Sequence, residues 1–240
     1  MSGRGHAFSV AIIGPDGAGK TTVARRLAEE LPYPTYYLYM GDNPDAVNRS
    51  LPTTRLAAAL KRRIGRSTNA GPPDYRPAEP RGRGGAVGVL RTTKSLARTM
   101  NQLAEEWYRQ AIAWRRQVGG AVVLFDRHFF ADYYAYDVIG GRAEPTLPRR
   151  IHGFLLQHLY PQPDVIVYLD APPEVLLARK GEGTIESLAR RREDYLAMRD
   201  HVRYFYVVDA TQSIERVAAE VAEVLGRHRQ VRPEASRGGA

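Results

Sequence analysis

Phe8-Ser-Val-Ala-Ile-Ile13-Gly14-Pro-Asp16-Gly17-Ala18-Gly19-Lys20-Thr21-Thr22 is the stretch that decides the fold. Residues 8–13 are an apolar run of strand character, residues 14–21 satisfy GxxxxGK[ST], and residues 22–31 continue with helical periodicity. Glycines at 14, 17 and 19 let the main chain curl so that its N–H groups point inward at a helix N-terminus, which makes an anion nest. On this reading Gly14, Asp16, Gly17, Ala18, Gly19, Lys20, Thr21 and Thr22 line a site for ATP. Lys20 bridges the β- and γ-phosphates, Thr21 offers its hydroxyl to magnesium, and Thr22 approaches the α-phosphate. Asp16 works against anion binding unless it is aimed elsewhere, so it is assigned to face the phosphate acceptor.

Outward from this loop, short β-branched and aromatic runs alternate with longer amphipathic ones, the pattern of a parallel sheet covered by helices in an α/β domain. Thr35–Tyr39 reads as the second strand, residues 121–125 as the third, 165–169 as the fourth and 205–208 as the fifth. A closing helix runs from 213 to about 226. One domain over residues 1–240 is expected. Some eighty residues separate the second and third strands, far more than an ordinary crossover, so an insertion is placed at about 42–90. Within it, residues 55–66 form a basic helix with Leu56, Leu60 and Ile64 on one stripe, and residues 67–85 are Gly/Pro/Arg-rich without periodicity. Leu96, Met100, Leu103, Trp107, Ala111, Trp114 and Val118 then recur at steps of four and three, a long helix whose stripe is expected in the core. The segment 94–118 is also where a homodimer would form. Residues from about 229 to 240 read as a disordered tail.

The composition narrows the function classes. Among 240 residues there is no cysteine, which excludes a disulfide framework and a thiolate metal site. No apolar run approaches the roughly 18 residues that would span a bilayer, and the first residues lack a secretory stretch, so a cytoplasmic location is expected. The net charge of +9 is uneven: residues 42–100 hold twelve Lys/Arg against four Asp/Glu. That excess would attract nucleic acid, anionic lipid or phosphorylated substrates, or else belong to a solvated loop.

Phosphoryl transfer needs a carboxylate near magnesium at the C-terminal edge of a neighbouring parallel strand. Asp126 is the candidate, sharing the metal with Thr21, and Arg127 beside it presents a planar fork to a phosphoryl group. Three segments then stand in order: the phosphate loop with Asp16, Asp126-Arg127-His128 followed by Ala135-Tyr136, and Pro163-Asp-Val-Ile-Val-Tyr-Leu-Asp170-Ala-Pro-Pro-Glu174. Together they resemble the thymidylate kinase family. The resemblance implies a P-loop NTPase sheet of five parallel strands in the order 2-3-1-4-5, with a lid at about 179–193. It also places Arg127 between donor and acceptor and directs Asp16 at a sugar hydroxyl. Because the phosphate loop carries no arginine, transition-state charge must come from the lid, where Arg179, Lys180, Arg190, Arg191 and Arg192 are available. Arg179 and Arg191 are the first choices, giving a catalytic set of Lys20, Asp126, Arg127, Arg179 and Arg191.

The acceptor half departs from the family. An Arg-Glu-Pro-Gly-Gly segment normally follows the second strand, whereas here Tyr39-Met-Gly41-Asp42-Asn-Pro44 holds no arginine until Arg49. In the long helix Arg109 is the nearest substitute for the family's acceptor-binding arginine. The acceptor set is therefore Asp16, Tyr39, Arg49, Arg109, Arg127 and Tyr136, with Tyr36, Trp107, Tyr108, Phe129 and Tyr133 offering aromatic faces. His128 is expected to shape this pocket and not to act as a base. The function implied is magnesium-dependent transfer of the ATP γ-phosphoryl group to a small acceptor, a nucleoside monophosphate such as dTMP. Two alternatives stand beside it: a kinase acting on a sugar, lipid head group or other metabolite hydroxyl, and a non-catalytic nucleotide-binding protein whose basic insertion meets nucleic acid or membrane.

Overall fold

Continuous apolar runs in the strands call for a sheet covered on both sides, and the computed structural model shows one, describing residues 6–41, 51, 86–133, 154–155 and 158–230, with 86–99, 102, 132 and 133 seen as backbone alone. Strands β1 (Ser9–Ile13), β2 (Thr35–Tyr39), β3 (Val122–Asp126), β4 (Val165–Asp170) and β5 (Phe205–Asp209) form a single parallel sheet in the order β2-β3-β1-β4-β5. That is the order the family resemblance implies. Every residue of β1 and β3 is buried, as expected of strands covered on both faces.

Period-two alternation divides the core. Val10, Ile12, Leu124 and Val167 pack beneath α1 (Lys20–Glu30) and the closing helix α6 (Ile214–Gln230), with Val23, Leu27, Val221 and Leu225 opposite. Ala11, Ile13, Phe125 and Tyr168 face the other side, with Phe130, Tyr195 and Met198. Between β4 and β5 lie α4 (Pro173–Lys180), α5 (Ile185–Leu196) and a 3-10 turn at Ala197–His201. After β3 comes the short α3 (Phe129–Tyr133). The closing helix runs through Gln230, past the expected boundary at 226 and into the expected tail. Arg227, His228 and Arg229 in its last turn suit the negative end of the helix dipole, and His228 packs its ring on Phe8 and Tyr204. Residues 231–240 lie outside the described ones.

The long helix α2 (Ala86–Val118) spans 33 residues, and its face corrects the sequence expectation. Met100, Trp114 and Val118 of the apolar stripe are exposed, Val118 at 91%. Glu105, Glu106, Arg109, Gln110 and Ala113 are buried instead. The helix thus presents a polar strip to the sheet edge, which positions it as a wall of a site. The basic helix of 55–66 and the segment 67–85 lie outside the described residues. Among the described residues no helix is long and apolar enough to cross a membrane.

Asp164 ties the sheet together at its N-terminal edge. Its Oδ2 accepts from the Ser9 N–H and the Ser9 hydroxyl, both at 2.7 Å, and the Asp164 N–H donates to Ser9 Oγ at 3.1 Å. These bonds fix the start of β1 against β4, and hence the height at which the phosphate loop leaves the sheet. Asp164→Ala is expected to lower the unfolding free energy by about 1–3 kcal/mol, since it strands the Ser9 donors. A urea titration reads this as a lower midpoint at unchanged slope.

Candidate active site

At the C-terminal edge of the sheet β1 runs straight into the glycine loop, and two of its glycines are required by contact as well as conformation. Gly14 (φ 148°) lies so close to β4 that a Cβ would stand 2.7 Å from the Leu169 carbonyl oxygen. Gly17 (φ 91°) would bring a Cβ to 2.8 Å from the Leu176 oxygen of α4. The loop delivers the chain into α1, whose first turn holds no acidic residue and whose cap, Gly19, makes no side-chain hydrogen bond. Its N–H groups and dipole are therefore left to an anion. Lys20 is buried and donates to the carbonyl oxygens of Gly14 at 2.7 Å and Pro15 at 2.8 Å.

Asp16 is the electrostatic centre. Arg127 donates to its Oδ1 at 2.5 Å, Lys180 and Lys20 stand 3.5 and 3.8 Å from the same oxygen, and Arg191 lies 3.7 Å from Oδ2. Burial pushes the Asp16 carboxyl up. Lys20, then Arg127 and Lys180, outweigh that and hold it well below the usual carboxylate range. Arg127 reaches Asp16 from a left-handed backbone (φ 69°), a conformation costly for an arginine, while its N–H donates to Ile12 O at 3.1 Å.

Asp126 ends β3 opposite Ile12 and is fully buried. The Tyr37 hydroxyl donates to its Oδ2 at 2.8 Å, and Oδ1 has no hydrogen-bond partner among the described residues. A carboxylate oxygen and the Thr21 hydroxyl are hard-oxygen donors of the kind magnesium takes.

The segment expected to form a lid begins at the end of α4, which stops at Gly181 in a left-handed turn (φ 69°), and α5 restarts behind a capping box of Thr184 and Ser187. Its basic residues divide their tasks. Arg192 forms a two-pronged pair with Asp170 at the end of β4, at 2.6 and 2.7 Å. Arg179 donates to the carbonyl oxygens of Ala210 at 2.8 Å and Thr211 at 3.4 Å, so its guanidinium is directed at the turn after β5. Arg190 is exposed. Arg191 and Lys180 are the two that reach Asp16; Lys180 also pairs with Glu182 at 2.9 Å. Of the catalytic candidates, the structure thus brings Lys20, Arg127 and Arg191 to one carboxylate, sets Asp126 at the same sheet edge, and places Arg179 elsewhere.

At the other side of Arg127 lies a second pocket wall. Arg109 is buried on α2, donates to the Gly41 carbonyl at 3.1 Å, lies 3.7 Å from Glu105, and has its guanidinium 5.5 Å from the centre of the Phe129 ring. A Cβ on Gly41 would collide with the Tyr39 hydroxyl and stand 2.7 Å from Arg127 Cδ, so Tyr39, itself buried, and the end of β2 floor this corner. Glu105, Glu106 and Gln110 were not foreseen; their only signal is that they flank Arg109 at steps of one, three and four on the helix. His128 is wholly buried against Phe125 and Tyr160, and burial pushes its imidazole down to about 3, so it is neutral. Arg49 and Tyr136 lie outside the described residues, as does the side chain of Tyr133.

No protein-family model matches the chain. It is similar to the thymidylate kinase of Xylella fastidiosa, with 31% identity over 229 residues that cover 90% of this chain and 91% of that protein. The counterpart from a second strain is 31% identical over 217 residues, covering 87% and 82%. A shorter match, 27% over 124 residues, is to the probable thymidylate kinase 1 of Saccharolobus solfataricus and covers 49% of this chain and 61% of that one, less than two thirds of its length. Among solved structures the thymidylate kinase of Candida albicans superposes with a TM-score of 0.60 at 16% identity over 93% of both chains, a likeness of fold.

Substitution at the loop glycines separates the site from the scaffold. Gly17→Ala places a methyl against the Leu176 carbonyl at an unfavourable φ, and nucleotide affinity measured by calorimetry is expected to fall at least tenfold. Gly226→Ala, in the closing helix with open space around it, is expected to leave affinity unchanged and to add about 0.5–1 kcal/mol of stability.

Proposed function

The chain belongs to the thymidylate kinase family of ATP-dependent P-loop kinases, and we propose that it transfers the ATP γ-phosphoryl group to a nucleoside monophosphate, dTMP first among them. The observation that carries this is the convergence of Lys20, Arg127, Lys180 and Arg191, from three separate segments, on the single carboxylate of Asp16. Even with Glu182 on Lys180, four cations around Asp16 leave a positive surplus, which a polyphosphate donor meeting a phosphate acceptor would neutralise. The relatives' names supply the nucleotide class.

In this reading the loop N–H groups and Lys20 hold the β- and γ-phosphates, and Arg127 stands between donor and acceptor. Arg191 follows the γ-phosphoryl group as an acceptor phosphate oxygen bonds to it and the bond to the bridging oxygen of ADP breaks. Arg109 grips the acceptor phosphate from α2, and Asp16, relieved of part of its cation load by the phosphates, turns to the acceptor sugar. Thr21 and Asp126 would hold a magnesium ion, which would supply neutralisation of phosphate charge. A second reading, transfer to a metabolite hydroxyl, draws support from the end of β2: buried Tyr39, Met40 and Gly41 stand where an acceptor-binding arginine would be.

A panel of nucleoside monophosphates, nucleosides and sugars scored for ATP-to-ADP conversion tests the proposal. Turnover is expected with a monophosphate and not with the parent nucleoside; the reverse pattern would overturn it in favour of the second reading. Lys20→Ala is expected to lower kcat by about 10²–10³. Arg109→Ala is expected to raise the KM of the monophosphate by about tenfold or more with the ATP KM unmoved, the loss of one hydrogen bond to a charged group.

A further inference from the structure

The second strand reads Thr35-Tyr36-Tyr37-Leu38-Tyr39, and its middle tyrosine reaches across to Asp126. Register pairs Tyr37 with Leu124 and Tyr39 with Asp126. Tyr37 therefore starts two residues short of Asp126, about 6.6 Å along the strand, a gap that a phenol bridges and a shorter side chain does not. Both side chains lie on the α1 face of the sheet, because Tyr37 and Leu124 pack in the cluster beneath α1 and Asp126 follows Leu124 by two. The hydroxyl donates to Asp126 Oδ2 at 2.8 Å. From the other side the Arg25 guanidinium stands beside that hydroxyl, with its carbon 5.7 Å from the ring centre.

A carboxylate on a buried Cβ rotates, and its two oxygens are equivalent until one is tied. Here Oδ2 is tied and Oδ1 is buried without a partner among the described residues. A buried acceptor left over in this way calls for a reason. We propose that Tyr37 is a positioning residue: its hydroxyl, steadied by Arg25, fixes the rotation of Asp126 so that Oδ1 is the oxygen presented to the phosphate site. This rests on the assignment of Asp126 to the transfer site. The chain Arg25–Tyr37–Asp126 links the outer surface of α1 to the sheet edge, so the helix that carries Lys20 and Thr21 and the strand that carries Asp126 are set relative to each other by one hydroxyl.

Tyr37→Phe keeps the ring and removes the oxygen. It is expected to lower kcat about tenfold while the KM values for ATP and acceptor stay within twofold. By calorimetry, the magnesium concentration that half-enhances ADP binding is expected to rise by a similar factor. In an Asp126→Asn background the same change should add little, since the anionic carboxylate to be positioned is gone. Wild-type magnesium dependence in Tyr37→Phe, or a loss that adds in full to that of Asp126→Asn, would overturn the proposal and leave the site assignment standing. An Asp126→Asn variant with normal turnover and magnesium dependence would bring down both. Should Tyr37→Phe fail to fold, Arg25→Gln at an exposed position is the second variant, expected to move the magnesium dependence in the same direction, and an unchanged dependence there refutes the linkage.

Discussion

The structure turns on two places where backbone touches backbone. The phosphate loop comes so near the Leu169 carbonyl of β4 and the Leu176 carbonyl of α4 that only glycine fits at positions 14 and 17. That approach does more than shape an anion nest. It seats the loop against the helix that leads into the lid, so Lys180 and Arg191 come within 4 Å of Asp16. Any side chain at Gly17 would push the loop from α4 and so move Lys180 and Arg191 away from Asp16. Loop and α4 are one mechanical unit because the main chain allows no spacer between them.

Electrostatics then assign different work to similar residues. Arg192 and Arg191 are neighbours in sequence, yet one is spent on Asp170 and the other points at Asp16. A two-pronged arginine–carboxylate pair is directional, so the Arg192 pair orients α5, and the rotation of about 100° per residue turns Arg191 toward the loop. Arg179 and Lys180 repeat the division at the end of α4: the first is held by the carbonyls after β5, the second lies between Glu182 and Asp16. Asp16 collects what remains. On sequence alone Asp16 is assigned to the phosphate acceptor; in the fold it is the anion around which Lys20, Arg127, Lys180 and Arg191 are gathered.

Much of this was legible in the sequence because it is local. Strand runs, the glycine loop with its lysine, and the aspartates closing β3 and β4 are written in consecutive residues, and the sheet order followed from a family pattern carried by three such segments. What was missed depends on facing. The stripe from Leu96 to Val118 has a clean helical period, but in the fold Glu105, Glu106, Arg109 and Gln110 turn inward, while Trp114 and Val118 stay out. Periodicity finds a face and cannot say what lies opposite it. Three tyrosines in β2 are alike in sequence, and only register with β3 sends Tyr37 to Asp126. The choice between Arg179 and Lys180 is likewise made by the left-handed turn at Gly181 and by carbonyls thirty residues away.

The claim beneath all of this is that the curl before Lys20, closed by the lid, holds a nucleotide's phosphates together with a metal ion. Calorimetric titration of the folded protein with ADP, with and without magnesium, tests it most directly. One site per chain, tighter with magnesium and weakened by salt as an ion cluster of this kind requires, is the predicted result. A folded protein that gives no heat of binding with magnesium and ADP, or binds the nucleoside as well as the nucleotide, would contradict it.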